Sequence, residues 1–191
     1  MKNIQNFADN YMIRLSNSLN QIPVENLDKI SGILLDAHSK NKNIFIFGNG
    51  GSASTSSHFA NDLNKLCNVE NKKRFKTIAL TDSVPLMTAW ANDDCYESIF
   101  VEQLKNLMGK EDVCIAISCS GNSNNVIRAI EYAKKIGGKT IALLGFEGGK
   151  LKGIVDECII VKSEMYGVIE DTHHAICHVL ANYLRGAIKE S

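Results

Sequence analysis

The 191-residue sequence has no excess charge of either sign: 21 acidic side chains stand against 21 basic ones. A chain that grips a nucleic-acid backbone concentrates Lys and Arg, so no nucleic-acid partner is expected. Long apolar runs are also missing. None approaches the ~20 residues of a membrane-crossing helix, and no membrane partner is expected. The stretch MKNIQNFADNYMIRL is polar and carries Asp9. It lacks the apolar core of a secretory signal, so a cytoplasmic location is expected. Proline occurs only at Pro23 and Pro85, and neither interrupts a strand-like run. Six cysteines (Cys67, Cys95, Cys114, Cys119, Cys158 and Cys177) are scattered without a CxxC pair. That spacing excludes a zinc ribbon or a dithiol redox motif. Most are expected to behave as small buried apolar groups.

What is present suits one well-packed domain over 1–191, since domains run ~50–250 residues. Residues 1–41 read as a helix pair. Ile4, Phe7, Tyr11, Leu15 and Leu19 recur at helical steps, and Val24, Leu27, Ile30, Leu34 and Ala37 repeat the pattern after Pro23. Such a pair cannot bury both stripes alone. From 42 to 191 the period changes. Short apolar runs at 43–47, 77–80, 113–117, 140–144 and 158–161 alternate with helical segments at 53–67, about 96–107, 124–136 and about 167–189. Alternation of this kind predicts an α/β fold: a parallel sheet of about five strands flanked by helices.

Two strand-ending loops echo each other. IFIFGNGGSAS spans Ile44–Ser54 and IAISCSGNSNN spans Ile115–Asn125. In an open parallel sheet both loops lie at the carboxyl edge, where ligands bind. Ser118, Ser120 and Ser123 stand directly before a helix, with Gly121 allowing close approach. Hydroxyls, backbone amides and the helix dipole can hold a phosphate there without Lys or Arg. An N-capped turn would use the same residue types. The first loop fits a relaxed GxGxx(G/A) dinucleotide pattern, but Asp82 comes late for the ribose acid and no GxxxxGK(S/T) loop exists. A nucleotide enzyme is therefore disfavoured.

Ionisable residues cluster on two helices. His58 and Asp62 are four apart and share a face. Glu170 and His178 are eight apart on the last helix. Imidazole and carboxylate suit zinc and similar ions, and they also move protons. His173 and His174 are read as ordinary structural histidines. Asn92-Asp93 reads by itself as a helix end.

Together, GNGGSA, the His58 helix, AWAND, SCSGNS and the terminal histidine helix resemble the SIS (sugar isomerase) domain family. Within it the chain is similar to the phosphoheptose isomerases, over nearly its whole length and with the motifs in the family's order. The resemblance implies aldose–ketose isomerisation of a phosphosugar, sedoheptulose 7-phosphate to D-glycero-D-manno-heptose 7-phosphate, through a cis-enediol. The heptose would serve surface-polysaccharide synthesis. It further implies that Asn49, Gly50, Gly51 and Ser52 line the sugar-phosphate site, with Asn92 and Asp93 on the sugar. By the same resemblance Ser118, Cys119, Ser120 and Ser123 would form the phosphate loop, with Cys119 at a place usually held by Thr. His58 and His178 match zinc ligands, and His178 matches a proton-transfer residue. A homotetramer with active sites between subunits is implied as well.

Two positions depart from the family pattern: Asp62 stands for Glu, and Glu170 for Gln. On a compensated reading, His58, Asp62, Glu170 and His178 still hold Zn2+. Asp62 or Glu170 then serves as the base, His178 as its partner, and Glu170 also touches substrate. Altered substrate choice is a second reading. The third is a non-catalytic phosphosugar-binding SIS protein with a regulatory or assembly role. Both histidines are kept, which favours the first two.

Overall fold

The computed structural model describes residues 3–191. Its centre is a five-stranded, wholly parallel sheet: β1 (Asn43–Gly48), β2 (Lys76–Ala79), β3 (Val113–Ser118), β4 (Lys139–Gly145) and β5 (Glu157–Val161), in the spatial order β2-β1-β3-β4-β5. Strands buried on both faces read as continuous apolar runs, which is why NIFIF and VCIAI announce themselves. Alternate residues feed two cores. Ile44, Ile46, Ile115, Ile117, Ile141 and Leu143 join the core on one face. Phe45, Phe47, Cys114, Ala116, Ala142 and Leu144 join the core on the other. This is the two-residue period of a strand expressed as two packed layers.

Helices cover both faces: α1 (Ile4–Asn20), α2 (Val24–Ser39), α3 (Gly51–Asn61), α4 (Val84–Asp93), α5 (Val101–Leu107), α6 (Asn124–Lys135) and α7 (Tyr166–Glu190). Ile30 and Leu34 of α2, Phe59 of α3, and Ile176, Leu180 and Leu184 of α7 pack on the first face. Leu104 of α5 with Val126 and Ile130 of α6 pack on the second. Four of the six cysteines are buried and all six are free thiols, as their scatter predicts.

The chain leaves β1 for β2 on one side and then crosses to β3 on the other side of β1. The reversal opens a crevice at the carboxyl ends of β1 and β3, the switch point where open α/β sheets take ligands. Gly48, at the end of β1, pairs with Ile117 of β3, so the two glycine- and serine-rich loops start side by side.

Two features differ from the expected pattern. Residues 84–93 form a helix, α4, of which no residue is fully buried; Met87, Trp90 and Ala91 are half-buried against the second core, a stripe of a single turn that is too short to announce a helix. The first helix, α1, also buries none of its residues. It lies along α7, with Ile4 77% and Phe7 54% exposed. The Tyr11 hydroxyl donates to Asp171 Oδ2 at 2.7 Å, a bond that pushes the phenol up to about 12.

Candidate active site

Both loops and the start of α7 close around one pocket of about 150 Å³. Asn49 and Ser52 enter from the first loop, Ser118, Cys119, Ser120 and Ser123 from the second, and Tyr166 and Glu170 from α7. The loops are tied to each other. Asn49 Nδ2 donates to Asn125 Oδ1 at 3.0 Å, and Asn125 Nδ2 donates back to Asn49 Oδ1 at 2.8 Å. The Tyr96 hydroxyl also donates to Asn49 Oδ1, at 3.0 Å.

The serine loop is shaped by its own hydroxyls. Ser118 Oγ accepts from the Gly121 N–H at 3.2 Å, and Ser120 Oγ accepts from the Asn122 N–H at 3.2 Å. Ser123 is the N-cap residue of α6, yet its side chain makes no capping bond. Its hydroxyl thus remains for a ligand, beside helix N–H groups that have no intrahelical acceptor. Gly121 takes φ +62°, and a Cβ there would lie 2.1 Å from the Gly148 carbonyl oxygen. The loop needs glycine at that point. Burial pushes the Cys119 thiol up to about 11, with the Glu170 charge adding to the effect. The thiol therefore stays protonated and is a packing group, not a nucleophile.

The second part of the site is a cluster of imidazoles. His58 Nε2 and His178 Nε2 are 2.9 Å apart. Asp62 Oδ2 lies 3.4 Å from the first and 3.6 Å from the second. That oxygen is buried and has no hydrogen-bond partner. A π-helical turn, Asp62–Leu66, begins at this residue and continues α3; such turns are frequent at functional sites. His174 completes the group, with a ligating atom of each of His58, His174 and His178 within 4.8 Å of the others. Partial burial and the two neighbouring imidazoles depress the His174 pKa, which favours the neutral ring that binds metals. Three imidazoles beside an orphaned carboxylate oxygen fit a divalent metal ion.

The structure thus brings Asn49, Ser52, Ser118, Cys119, Ser120, Ser123 and Glu170 into one pocket, and His58, Asp62 and His178 into one cluster. Gly50 and Gly51 open α3 beside the pocket. Glu170, expected also among metal ligands, points its carboxylate toward Gly51, where a Cβ would sit 2.6 Å from Oε1. Asn92 and Asp93 are exposed at the end of α4 and bond to each other, Asn92 Nδ2 to Asp93 Oδ1 at 2.8 Å. Asp82, weighed as a ribose acid, is engaged by the Ser57 hydroxyl.

Of the two histidines read as structural, only His173 is so. Its Nε2 donates to the Leu144 carbonyl at 2.9 Å, and burial lowers its pKa to about 4. His174 instead joins the cluster. Its spacing, four residues from both Glu170 and His178, is the signal that points there. Asn125 and Tyr96 cannot be found from the sequence. Their roles depend on partners distant in sequence and carry no local signature.

A doubly wound parallel sheet with hydroxyl-rich loops at its switch point defines an open α/β domain of the ligand-binding kind. The pattern of the SIS domain matches residues 9–145, and the chain belongs to that family. Among its relatives is a phosphoheptose isomerase from Helicobacter pylori strain P12, 41% identical over 150 residues, covering 78% of each chain. A probable phosphoheptose isomerase from Thermoplasma acidophilum is 40% identical over 158 residues, covering 81% of this chain and 86% of that one. The solved phosphoheptose isomerase of Neisseria gonorrhoeae superposes with a TM-score of 0.86 at 27% identity, over 95% of this chain and 98% of that one.

Proposed function

We propose that the protein is an aldose–ketose isomerase acting on sedoheptulose 7-phosphate to give D-glycero-D-manno-heptose 7-phosphate. The observation that carries the reading is the single pocket in which two hydroxyl-rich loops meet the Glu170 carboxylate. The relatives named phosphoheptose isomerase support the substrate. The phosphate sits against Ser118, Ser120, Ser123 and the N-terminus of α6. This places the sugar chain toward Glu170 and the first loop.

Isomerisation moves one proton between adjacent carbons and a second between the oxygens they carry, through a cis-enediol. A carboxylate must take the proton from the carbon beside the carbonyl and return it to its neighbour. Glu170 lines the pocket and is the carboxylate assigned to that carbon. Asp62 is directed at the histidines. Zinc is the metal we assign to the cluster, held by His58 and His178 with Asp62 beside them; when bound, it supplies Lewis-acid stabilisation of the developing oxyanion. The two roles expected of His178 compete at one atom. Its Nε2 faces His58 and Asp62, and one nitrogen cannot carry a proton while its lone pair is shared with a metal. Either role makes His178 indispensable.

The free thiols fit a reducing compartment, which supports a cytoplasmic location; no helix among the described residues is long and apolar enough to cross a membrane. Self-association is part of the proposal. The outward apolar side chains of α1 (Ile4, Phe7, Met12 and Ile13) and a shallow groove lined by Val24, Leu27, Val179 and Tyr183 support it. A homotetramer would give these faces, and the exposed Asn92 and Asp93, partner surfaces.

Proton NMR of the protein with sedoheptulose 7-phosphate in D2O, with zinc and again with EDTA, tests the reading. New aldose signals with deuterium at the reacting carbon are expected, and His178→Ala should abolish them with the fold intact. Bound ligand with no exchange would instead make this a phosphosugar-binding protein.

A further inference from the structure

Two sets of donors compete for the metal on α7, and the geometry separates them. Ring centroids of His58 and His174 are 4.4 Å apart, and those of His174 and His178 are 4.7 Å apart. Each of the three residues offers one ring nitrogen, and these lie within 4.8 Å of one another. Glu170 stands one more turn back along the helix. At a rise of 1.5 Å per residue, His174 is about 6 Å from His178 along the axis, and Glu170 about 12 Å. The Glu170 carboxylate is also directed elsewhere, against Gly51 in the serine-lined pocket. The other nearby acid, Asp171, already accepts the Tyr11 hydroxyl at 2.7 Å.

Charge points the same way. Three neutral imidazoles and the Asp62 carboxylate around a divalent ion leave it one net positive charge. Adding Glu170 would cancel that charge and with it the pull on a substrate oxygen. The buried Asp62 Oδ2, without a hydrogen-bond partner, is the one carboxylate oxygen already poised between the rings.

We infer that His174, rather than Glu170, completes the metal site with His58 and His178, and that Glu170 is thereby left to the sugar. The metal assignment stands on the histidine geometry. The assignment of Glu170 to the sugar rests on the isomerase reading above.

The test is a Co2+ titration of the full-length, EDTA-stripped protein, followed by visible absorption, with turnover of sedoheptulose 7-phosphate measured in parallel. The wild type should take up one Co2+ per chain with the absorption of a nitrogen-rich, low-coordinate site. His174→Ala should lose affinity by more than the ~10–100-fold that removal of an outer partner causes. His174→Gln, which keeps a polar side chain of similar reach, asks the same question should the alanine variant not fold. Glu170→Ala should bind Co2+ as the wild type does. Loss of binding in Glu170→Ala overturns the inference whether or not His174→Ala also loses it, and so does a wild type that takes up no Co2+. Turnover keeps the two readings apart. Co2+ held through His174 with no isomerisation sustains the metal site and sinks the isomerase; isomerisation without Co2+ uptake does the reverse.

Discussion

Asn49 and Asn125, 76 positions apart in the chain, hold each other by two reciprocal amide bonds of 3.0 and 2.8 Å. The pair fastens the loop after β1 to the first turn of α6. It therefore fixes the width of the pocket between the two loops. Asn125 is 2% exposed and its Oδ1 also accepts from the Val126 N–H. Removing a buried partner strands the groups it served, at about 1–3 kcal/mol. Asn125→Ala should melt several degrees lower. Its KM for sedoheptulose 7-phosphate should rise by about tenfold or more, with a smaller change in kcat, because a loosened pocket binds less well. Steady-state kinetics beside a thermal melt checks both. An unchanged KM would detach this pair from ligand binding.

Ser123 separates the phosphate reading from a plain helix cap. A capping serine stabilises its helix, and its replacement by alanine costs about 1 kcal/mol. The Ser123 side chain makes no capping bond. Ser123→Ala should therefore melt within about 0.5 kcal/mol of the wild type, as surface changes do. Inhibition by inorganic phosphate should nevertheless weaken by about tenfold, the effect of losing a hydrogen bond to a charged group. A lower melting temperature with unchanged phosphate inhibition would restore the cap.

Two glycines of the site should fail in different ways when given a methyl group. At Gly121 the new Cβ would meet the backbone oxygen of Gly148 at 2.1 Å, on a residue with φ +62°. Backbone cannot step aside cheaply, so Gly121→Ala should cost about 1–3 kcal/mol and lower Tm by roughly 2–4 °C for each of them. At Gly51 the Cβ would meet Glu170 Oε1 at 2.6 Å, the tip of a flexible side chain. Gly51→Ala should hold its Tm and lose kcat, because displacement of a reacting group by ~1 Å can cost about a hundredfold. Differential scanning calorimetry and initial rates on the same two variants read out the contrast.

Much of this arrangement is legible in the sequence, for reasons that differ by element. β1, β3 and β4 are buried on both faces, so their apolar runs are unbroken and the parallel sheet follows. The serine loop is legible because its hydroxyls are concentrated within six residues, Ser118–Ser123. α4 is legible only at its end, Asn92-Asp93: its half-buried stripe of Met87, Trp90 and Ala91 covers a single turn, too short to mark a helix. His174 reads as structural because a lone histidine usually is; its company comes from His178 one turn on and from His58 of α3, which the fold brings back to it. For Glu170 the helix position could be read but the direction of its carboxylate could not. That direction is set by the space above Gly51, more than a hundred residues away in the chain.

Asp62 gives the sharpest opposition between stability and activity. Its Oδ2 is buried and lacks a hydrogen-bond partner, with two imidazole nitrogens at 3.4 and 3.6 Å. A buried, incompletely satisfied carboxylate is costly to the fold, and functional sites carry such costs. Asp62→Asn keeps the shape and removes the charge. In metal-free protein the variant should melt higher than the wild type, by about 1–2 kcal/mol of added stability. Saturating zinc should reverse the order, since a ligand that binds only the native state stabilises by mass action and the wild type binds it more tightly. Turnover should fall by ~10²–10⁴, the usual contribution of a positioned proton-transfer or charge-stabilising group. Thermal melts of both proteins with EDTA and with zinc, beside initial rates, make the comparison. An Asp62→Asn protein that melts lower in both conditions would mean that this carboxylate belongs to the packing of α3 and not to the chemistry.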